Sequence, residues 1–379
     1  MTTVRVLGAM REVDASEWNR CTRGDPFVSH EFLSALEDSG SAVPEHGWHA
    51  RHLVVEDEVG VVAAAPAYLK THSYGEYVFD WAWADAYRRL GLSYYPKLQC
   101  CVPFTPATGP RLLVREGLAR AHHEEVLVAA LVEVARREGA SSVHVTFPTS
   151  SERERGAELG LLTRSGLQYH WHNRGFASFD DFLGTLLGRK RRVLARERRD
   201  ANAAVAIETL RGADIGTDEW NAFYGFYRDT IARKWGQAYL TRAFFETLGA
   251  TMSDRVAMVV ARRDGEVVAA ALNLIGPDAL FGRYWGTSVE VPFLHFELCY
   301  YRAIELAIEL GLVRVEAGAQ GEHKLARGYV PVETHSLHHI LDPRLASAIG
   351  SFVEEERLAI LRDMSALDEL TPYRDRRGG

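Results

Sequence analysis

One short word of this chain occurs twice. Glu17-Trp18-Asn19 returns as Glu219-Trp220-Asn221, and the sequence after each copy matches in order. Phe27-Val28-Ser29-His30-Glu31-Phe32-Leu33 with Leu36 answers to Tyr239-Leu240-Thr241-Arg242-Ala243-Phe244-Phe245 with Leu248. In both, Ser or Thr stands where an N-cap belongs, ahead of apolar residues at helical spacing. Val54-Val55 and Val259-Val260 each precede a charged turn with glycine (Gly60, Gly265) and a second apolar run, the pattern of a hairpin. Each half then has a striped helix that stops at a glycine, Gly139 or Gly311, and a short strand, Val143 to Phe147 or Val313 to Ala317. Five features in one order indicate duplication. A strand–helix–strand step after antiparallel strands implies a mixed α/β, α+β-class sheet, mostly antiparallel and flanked by helices.

The halves meet near residue 176, giving expected domains 1–176 and 177–379. Ser178-Phe-Asp-Asp181 reads as an N-cap with an acidic third position, opening a helix with Leu183, Leu186 and Leu187. That helix is expected to run on into Arg189-Lys-Arg-Arg-Val-Leu-Ala-Arg-Glu-Arg-Arg199. This run carries seven cations and the single anion Glu197, in a chain of formal net charge −7. It is either a phosphate-covering face or a solvated one. At helical spacing Arg192, Arg196 and Arg199 share a side, as do Arg191 and Arg198. Asp342-Pro343 starts a last helix striped by Leu345, Ile349, Phe352 and Ile360, expected to pack on the second sheet.

Polar chemistry concentrates in Val313-Arg-Val-Glu-Ala-Gly-Ala-Gln-Gly-Glu-His-Lys-Leu-Ala-Arg-Gly-Tyr-Val-Pro331. A short strand runs into three glycines, with Glu316, Gln320, Glu322, His323, Lys324 and Arg327 among them. Glycines there allow tight turning or close approach to a ligand. The plain alternative is a solvated connection. Aromatic and proline-rich stretches stand out as well: Phe79-Asp-Trp81, Tyr94-Tyr-Pro-Lys97 and Pro103-Phe-Thr-Pro106 in the first half, Phe281-Gly-Arg-Tyr-Trp-Gly286 and Leu294-His-Phe-Glu297 in the second. Such rings line grooves or fill cores. Interleaved charge favours a groove at Asp80, Tyr94 and Lys97.

No Walker A, H-E-x-x-H, G-x-S-x-G or post-strand G-x-G-x-x-G motif is present. Thr334-His-Ser-Leu-His-His339, read as a strand, sends His335 and His339 to one face and His338 to the other, which argues against a metal site. Four cysteines without a C-x-x-C pair suggest reduced thiols. The lack of an apolar leader or an 18-residue apolar run suggests a cytoplasmic protein with no membrane span. The acidic balance argues against a DNA-coating protein.

These stretches resemble the Fem-type aminoacyltransferases, and more closely the FemAB-like group associated with peptidoglycan biosynthesis or recognition. The likeness is carried by Pro26-Phe-Val-Ser-His-Glu-Phe32 and the aromatic stretches above. The Lys190-Arg-Arg192 helix, Lys234-Trp235 with Tyr239-Leu240, and Leu294-His-Phe-Glu297 add to it. Gly318-Ala-Gln-Gly-Glu-His-Lys324 with Arg327-Gly328 is its most specific part. The resemblance implies two tandem GNAT-like (acyl-CoA N-acyltransferase) domains and an N-acyltransferase that forms an amide. It implies no bound cofactor and no metal; the co-substrate is aminoacyl-tRNA or acyl-CoA. The acceptor is an amine of a peptidoglycan precursor, or another small molecule or peptide. Aminoacyl transfer from tRNA is the leading reading. Acyl-CoA-dependent transfer is the alternative, as is a non-catalytic binding module on the same fold. The stretch Thr287 to Phe293 departs from the pattern, lacking the R/Q-x-x-G-x-G/A phosphate cradle of ordinary GNAT domains.

The expected catalytic residues are Glu316, His323 and Lys324. Those expected to shape the substrate sites are Asp80, Lys97, Thr105, Arg283, Trp285, His295, Glu297, Gln320, Glu322 and Arg327. Lys190, Arg191, Arg192, Arg196 and Arg199 are the expected tRNA- or phosphate-binding set. Lys324 and His323 are both expected on a solvent-lined loop.

Overall fold

A computed structural model describes residues 2–234, 238–318 and 321–374. Gln320 and Trp235 lie outside the described residues, as do the side chains of Lys234 and Glu322. The chain forms two compact units. The first comprises Met1–Gly166 and Glu333–Leu361, the second Leu167–Val332 and Arg362–Gly379.

In the first unit, β1 (Thr3–Leu7) pairs antiparallel with β3 (His52–Asp57), the neighbour of β4 (Gly60–Ala65). A second sheet runs from β2 (Trp48–Ala50) through β5 (Ala67–Lys70) and β6 (Lys97–Cys100). β7 (Leu113–Val114) closes the small sheet against β4, and β8 (Ser142–Thr146) lies parallel to β6. The helix Arg120–Arg137 covers these strands, burying Leu127, Leu131 and Val134 against Leu98, Val143 and Val145.

The strand β9 (Leu162–His172) carries the chain from the first unit into the second. There β10 (Ala206–Arg211), β11 (Val256–Arg263), β12 (Glu266–Ile275) and β13 (Ala279–Thr287) form an antiparallel succession. β14 (Arg314–Glu316) joins parallel to β13 and antiparallel to the second-unit part of β9. The strand β15 (Val330–Ile340) then returns the chain to the first unit, where Ser336–Ile340 pairs with β8.

The duplication is visible in the details. Ser29 and Thr241 both cap their helices through the side chain, accepting from Phe32 N and Phe244 N. Each unit holds one parallel strand pair, β6 with β8 and β13 with β14. The last helix, Pro343–Asp368, departs from expectation. Leu345, Ile349 and Val353 pack on Trp83, Tyr87 and Tyr94 in the first unit, while Phe352 faces solvent. The helix follows β15, and β15 completes the first sheet. The boundary expected at residue 176 thus differs from the division by contacts, which falls within β9 and β15. The basic helix differs as well. Phe179–Thr185 ends at Leu186, and Gly188–Ala204 begins anew.

Candidate functional site

The second unit builds its site where the parallel pair parts. Among the described residues, β13 bonds β14 only from Ala279 to Phe281, and it runs on to Thr287. Its partner ends at Glu316, and the chain passes close behind Gly282, where an added Cβ would stand 3.5 Å from Ala317 Cα. Opposite Leu272 and Asn273 the register slips by one residue, leaving Arg283 as the extra position of a bulge. Bulges re-aim side chains, and Gly282 to Trp285 are all half-buried here.

The turn after β14 is a 3-10 helix, Glu322–Arg327, between two left-handed glycines. At Gly321 (φ +122°) a Cβ would collide with the His323 ring, and at Gly328 (φ +87°) with Phe182. His323 is exposed, and its Nε2 meets Tyr300 Oη at 2.9 Å. Its ring lies among His295, Phe296 and Tyr300. Partial desolvation against the surrounding rings, followed by the positive charge of Arg327 and Lys324, lowers the imidazole below its ordinary value despite its exposed edge, which favours the neutral form. Lys324 is only 1% exposed, which corrects the expected solvent-lined position: the turn folds its side chain inward, and Nζ donates to Gly318 O at 2.6 Å. Desolvation pushes this amine down to about 8.

A helix with one π-helical turn supplies the facing wall. Leu294–Phe296 leads into the wide turn Glu297–Tyr301, then Arg302–Glu309. Such turns shift side-chain direction and cluster at functional sites. This one brings Tyr300 to His323 and Tyr301 to Glu197. His295 lies against Trp285 of β13, with ring centroids 4.8 Å apart.

Several expected contact residues are engaged in the scaffold. Glu297 is fully buried and accepts from Arg198 Nε and Nη2, both at 3.1 Å. Arg327 donates Nη2 to both Glu197 oxygens at 2.9 Å, Nε to Tyr301 Oη, and Nη1 to His323 O, with its guanidinium over Phe296. It fixes the turn that presents His323. Glu316 is buried beside Arg314 Nε at 2.9 Å, and His170 Nε2 is 3.8 Å away. Arg283 lies close to Tyr284, the guanidinium 5.1 Å from the ring centroid. In the first unit, the Thr105 hydroxyl donates to Pro103 O, and Asp80 is ion-paired with Lys97 in a closed cluster. The turn therefore brings His323 and Lys324 together with Trp285, His295 and Arg327.

Glu197 and Arg198, read from sequence only as members of the charged run, and Tyr300 and Tyr301, given no site role there, are structural partners. The signal was one acid inside a run of cations. Both Glu197 and Arg198 turn inward, Arg198 to Glu297 and Glu305. Arg198 therefore does not share a solvent face with Arg191. The outer side keeps Arg189, Arg191, Arg192, Arg196 and Arg199 exposed.

A depression beside the Thr287–Glu290 turn is lined by Asp229, Arg233, Thr287, Ser288 and Glu290. Two carboxylates face one guanidinium there, the opposite of a pyrophosphate cradle. Among the described residues, no three metal-ligating side chains cluster, and no helix is long and apolar enough to cross a membrane.

Two like units, each with a parallel strand pair, and a bulge on β13 of the second pair give the chain the fold of two tandem GNAT-like domains. Residues 9–375 match the FemAB-like family, described as peptidoglycan biosynthesis/recognition, and the chain belongs to it. Among solved structures, FemX is similar with 12% identity, covering 92% of this chain and all of that one, at a TM-score of 0.56. A conserved protein of unknown function from Bacteroides thetaiotaomicron is similar with 11% identity, 90% and 100% coverage, and a TM-score of 0.53. The L-PGS of Bacillus licheniformis shares 12% identity, with 88% and 98% coverage and a TM-score of 0.50. At such identities the likeness concerns the fold. No curated protein matches the chain.

Proposed function

We propose that the chain is an N-acyltransferase that forms an amide, passing an aminoacyl group from tRNA to an amine of a peptidoglycan precursor. One observation carries the reading: consecutive residues of the turn that follows β14 carry a neutral imidazole, held by Tyr300, and a buried amine, held by Gly318 O. Amide formation needs a proton acceptor for the attacking amine and donors for the carbonyl oxygen as it becomes an oxyanion. His323, its ring oriented by Tyr300, takes the proton of the attacking amine and returns it to the tRNA ribose oxygen as the ester C–O bond breaks and the amide C–N bond remains. Lys324, with one proton on Gly318 O and others free, donates to the oxyanion. Glu316 is engaged with Arg314 instead. Trp285, His295 and Arg283 line the acceptor side.

The donor follows from charge. The depression beside the Thr287–Glu290 turn is lined by Glu290 and by Asp229 and Arg233 of the helix Thr217–Lys234, a mixed-charge lining that does not favour a coenzyme A pyrophosphate, while Arg192, Arg196 and Arg199 present an exposed basic face. Family membership supports a peptidoglycan-type acceptor. The test is single-turnover amide formation with pooled aminoacyl-tRNA and muropeptide amines. Product with wild type and none with His323→Gln supports the reading. Binding of both substrates without product turns it into a binding module, and product from acetyl-CoA instead moves the donor.

A further inference from the structure

The first unit carries a surface feature that the transfer chemistry above does not use. Among the described residues five Phe, Tyr or Trp side chains are exposed, and four of them fall within eight positions. They are Tyr74, Tyr77, Phe79 and Trp81, at 57%, 37%, 61% and 43%. Their neighbours are drawn inward. Ser73, Glu76 and Asp80 are buried and gather on Lys97 Nζ, which donates to Ser73 Oγ at 2.8 Å, to Glu76 Oε2 at 2.6 Å and to Asp80 Oδ2. These anchors fix the backbone, and the aromatic residues between and beside them face out. Tyr77 holds a left-handed φ of +59°, uncommon for so bulky a side chain. Main-chain oxygens of the stretch are tied inward too. Tyr74 O accepts from Lys70 Nζ at 3.4 Å, and Phe79 O from Arg164 Nη1 at 2.8 Å.

The helix Trp81–Arg89 continues the surface. Trp83 and Tyr87 are buried with Leu345 and Ile349, while Trp81, Ala82, Arg88 and Arg89 are exposed. Glu76 and Asp80 are the only acids between Thr71 and Ala84, and both are buried. The next acid, Asp85, is matched by Arg88 Nη2 at 2.9 Å. The exposed face is thus aromatic at one end and cationic at the other.

Clustered apolar exposure marks a surface that meets a partner. Tyr and Trp beside arginine is the chemistry of a membrane–water interface, where amphipathic rings sit at headgroup depth and cations meet anionic lipid. A sugar would need a flat ring platform with polar side chains at its edge. Here the Tyr74 and Trp81 rings are tilted 60° to each other, and the nearby carboxylates are spent on Lys97.

We propose that Tyr74, Tyr77, Phe79 and Trp81, with Arg88 and Arg89, form a docking surface for an anionic lipid bilayer. The rings enter the headgroup layer as a wedge held from below by Lys97, and the backbone between them brings carbonyls already bonded. The inference does not depend on the proposed transfer reaction, because it is read by vesicle binding rather than turnover.

The test is sedimentation of the full chain with vesicles of equal parts phosphatidylcholine and phosphatidylglycerol, and with vesicles of phosphatidylcholine alone. Binding to the anionic vesicles is expected, weakening with added salt. Tyr74→Ser/Phe79→Ser/Trp81→Ser should weaken it at least tenfold with wild-type circular dichroism, since all three side chains are exposed. Arg89→Ala should weaken it about fivefold, the usual worth of one cation near an anionic surface. Trp81→Phe should still bind but lose most of the quenching of tryptophan fluorescence by brominated lipid. Val4→Ser, exposed elsewhere in the first unit, should leave binding unchanged. The proposal is overturned if wild type does not sediment with the anionic vesicles, the outcome of a glycan- or protein-docking patch. It is overturned equally if the folded triple variant binds them like wild type, or if Trp81→Phe is quenched as strongly as wild type.

Discussion

Lys70 and Lys97 stand directly opposite each other on adjacent antiparallel strands, and neither reaches water. Like charges in that register are destabilising. The pair survives because only Lys97 is matched by carboxylates. The two substitutions should therefore behave differently. Lys97→Met leaves Glu76 and Asp80 without their cation and should cost about 3–5 kcal/mol. Lys70→Met should cost far less, or stabilise. Guanidinium unfolding of both variants decides, and equal losses would refute the assignment. The sign with pH is also set. Lys70 titrates near 7 in the fold but at its ordinary 10.5 when unfolded, so the unfolded chain holds the extra proton between those values. Wild-type stability relative to Lys70→Met should rise across that window.

The turn chemistry predicts a bell-shaped rate profile. If neutral His323 accepts the amine proton, kcat/KM falls as pH drops below the ordinary imidazole range. If Lys324 acts as an ammonium donor, it falls again above about 8. His323→Gln should reduce the rate at least a hundredfold, and Lys324→Met by about 10²–10³-fold, the usual range for one oxyanion donor. Lys324→Arg should remove the upper limb. An unaltered upper limb in that variant assigns the titration to another group.

Arg327 is expected to act through position rather than contact with substrate. Removing it strands the buried Glu197 carboxylate, so Arg327→Met should cost about 3–5 kcal/mol. The double variant Arg327→Met/Glu197→Met should recover part of that loss, because the isolated charge has gone. Additive losses by urea denaturation would show that the pair is not coupled.

For the basic helix, the expected readout is a slope. If Arg192, Arg196 and Arg199 each neutralise a tRNA phosphate, log affinity falls by roughly one unit per log unit of salt for each contact. Replacing all three with alanine should flatten the line by up to about three units while circular dichroism is unchanged. An unaltered slope makes this a solvated face.

Much of this architecture is legible in the sequence, because local rules and tertiary structure agree there. The caps at Ser29 and Thr241, the two hairpins and the helix-stopping glycines follow from short-range chemistry. The expected membership of β15 and the last helix failed for a different reason. An apolar stripe says that a helix needs a core but not which core, and Leu345 and Ile349 found Trp83 and Tyr87. Lys324 was misread because six polar residues in one turn look wet. Its burial depends on Gly318 O and on the fold of the 3-10 turn, which no periodicity encodes. Glu197 and Arg198 likewise gain meaning only when Glu297, Tyr301 and Arg327 arrive from more than 90 residues away.

The strand Val330–Ile340, which returns the chain to the first unit, bears on how the protein is born. Leu337 and His338 lie in the middle of the first unit's β8 pairing, yet the ribosome adds them after nearly all of the second unit. The first unit cannot close its sheet as it emerges. It must wait, with Leu98, Val143 and Val145 lacking the cover of Leu337, until Ser336–Ile340 has been made. The second unit in turn awaits Tyr373, whose hydroxyl donates to Gly328 O. Folding of the first unit is thus tied to synthesis of β15, and a nascent fragment that stalls before residue 340 would offer chaperones and proteases an unfinished sheet.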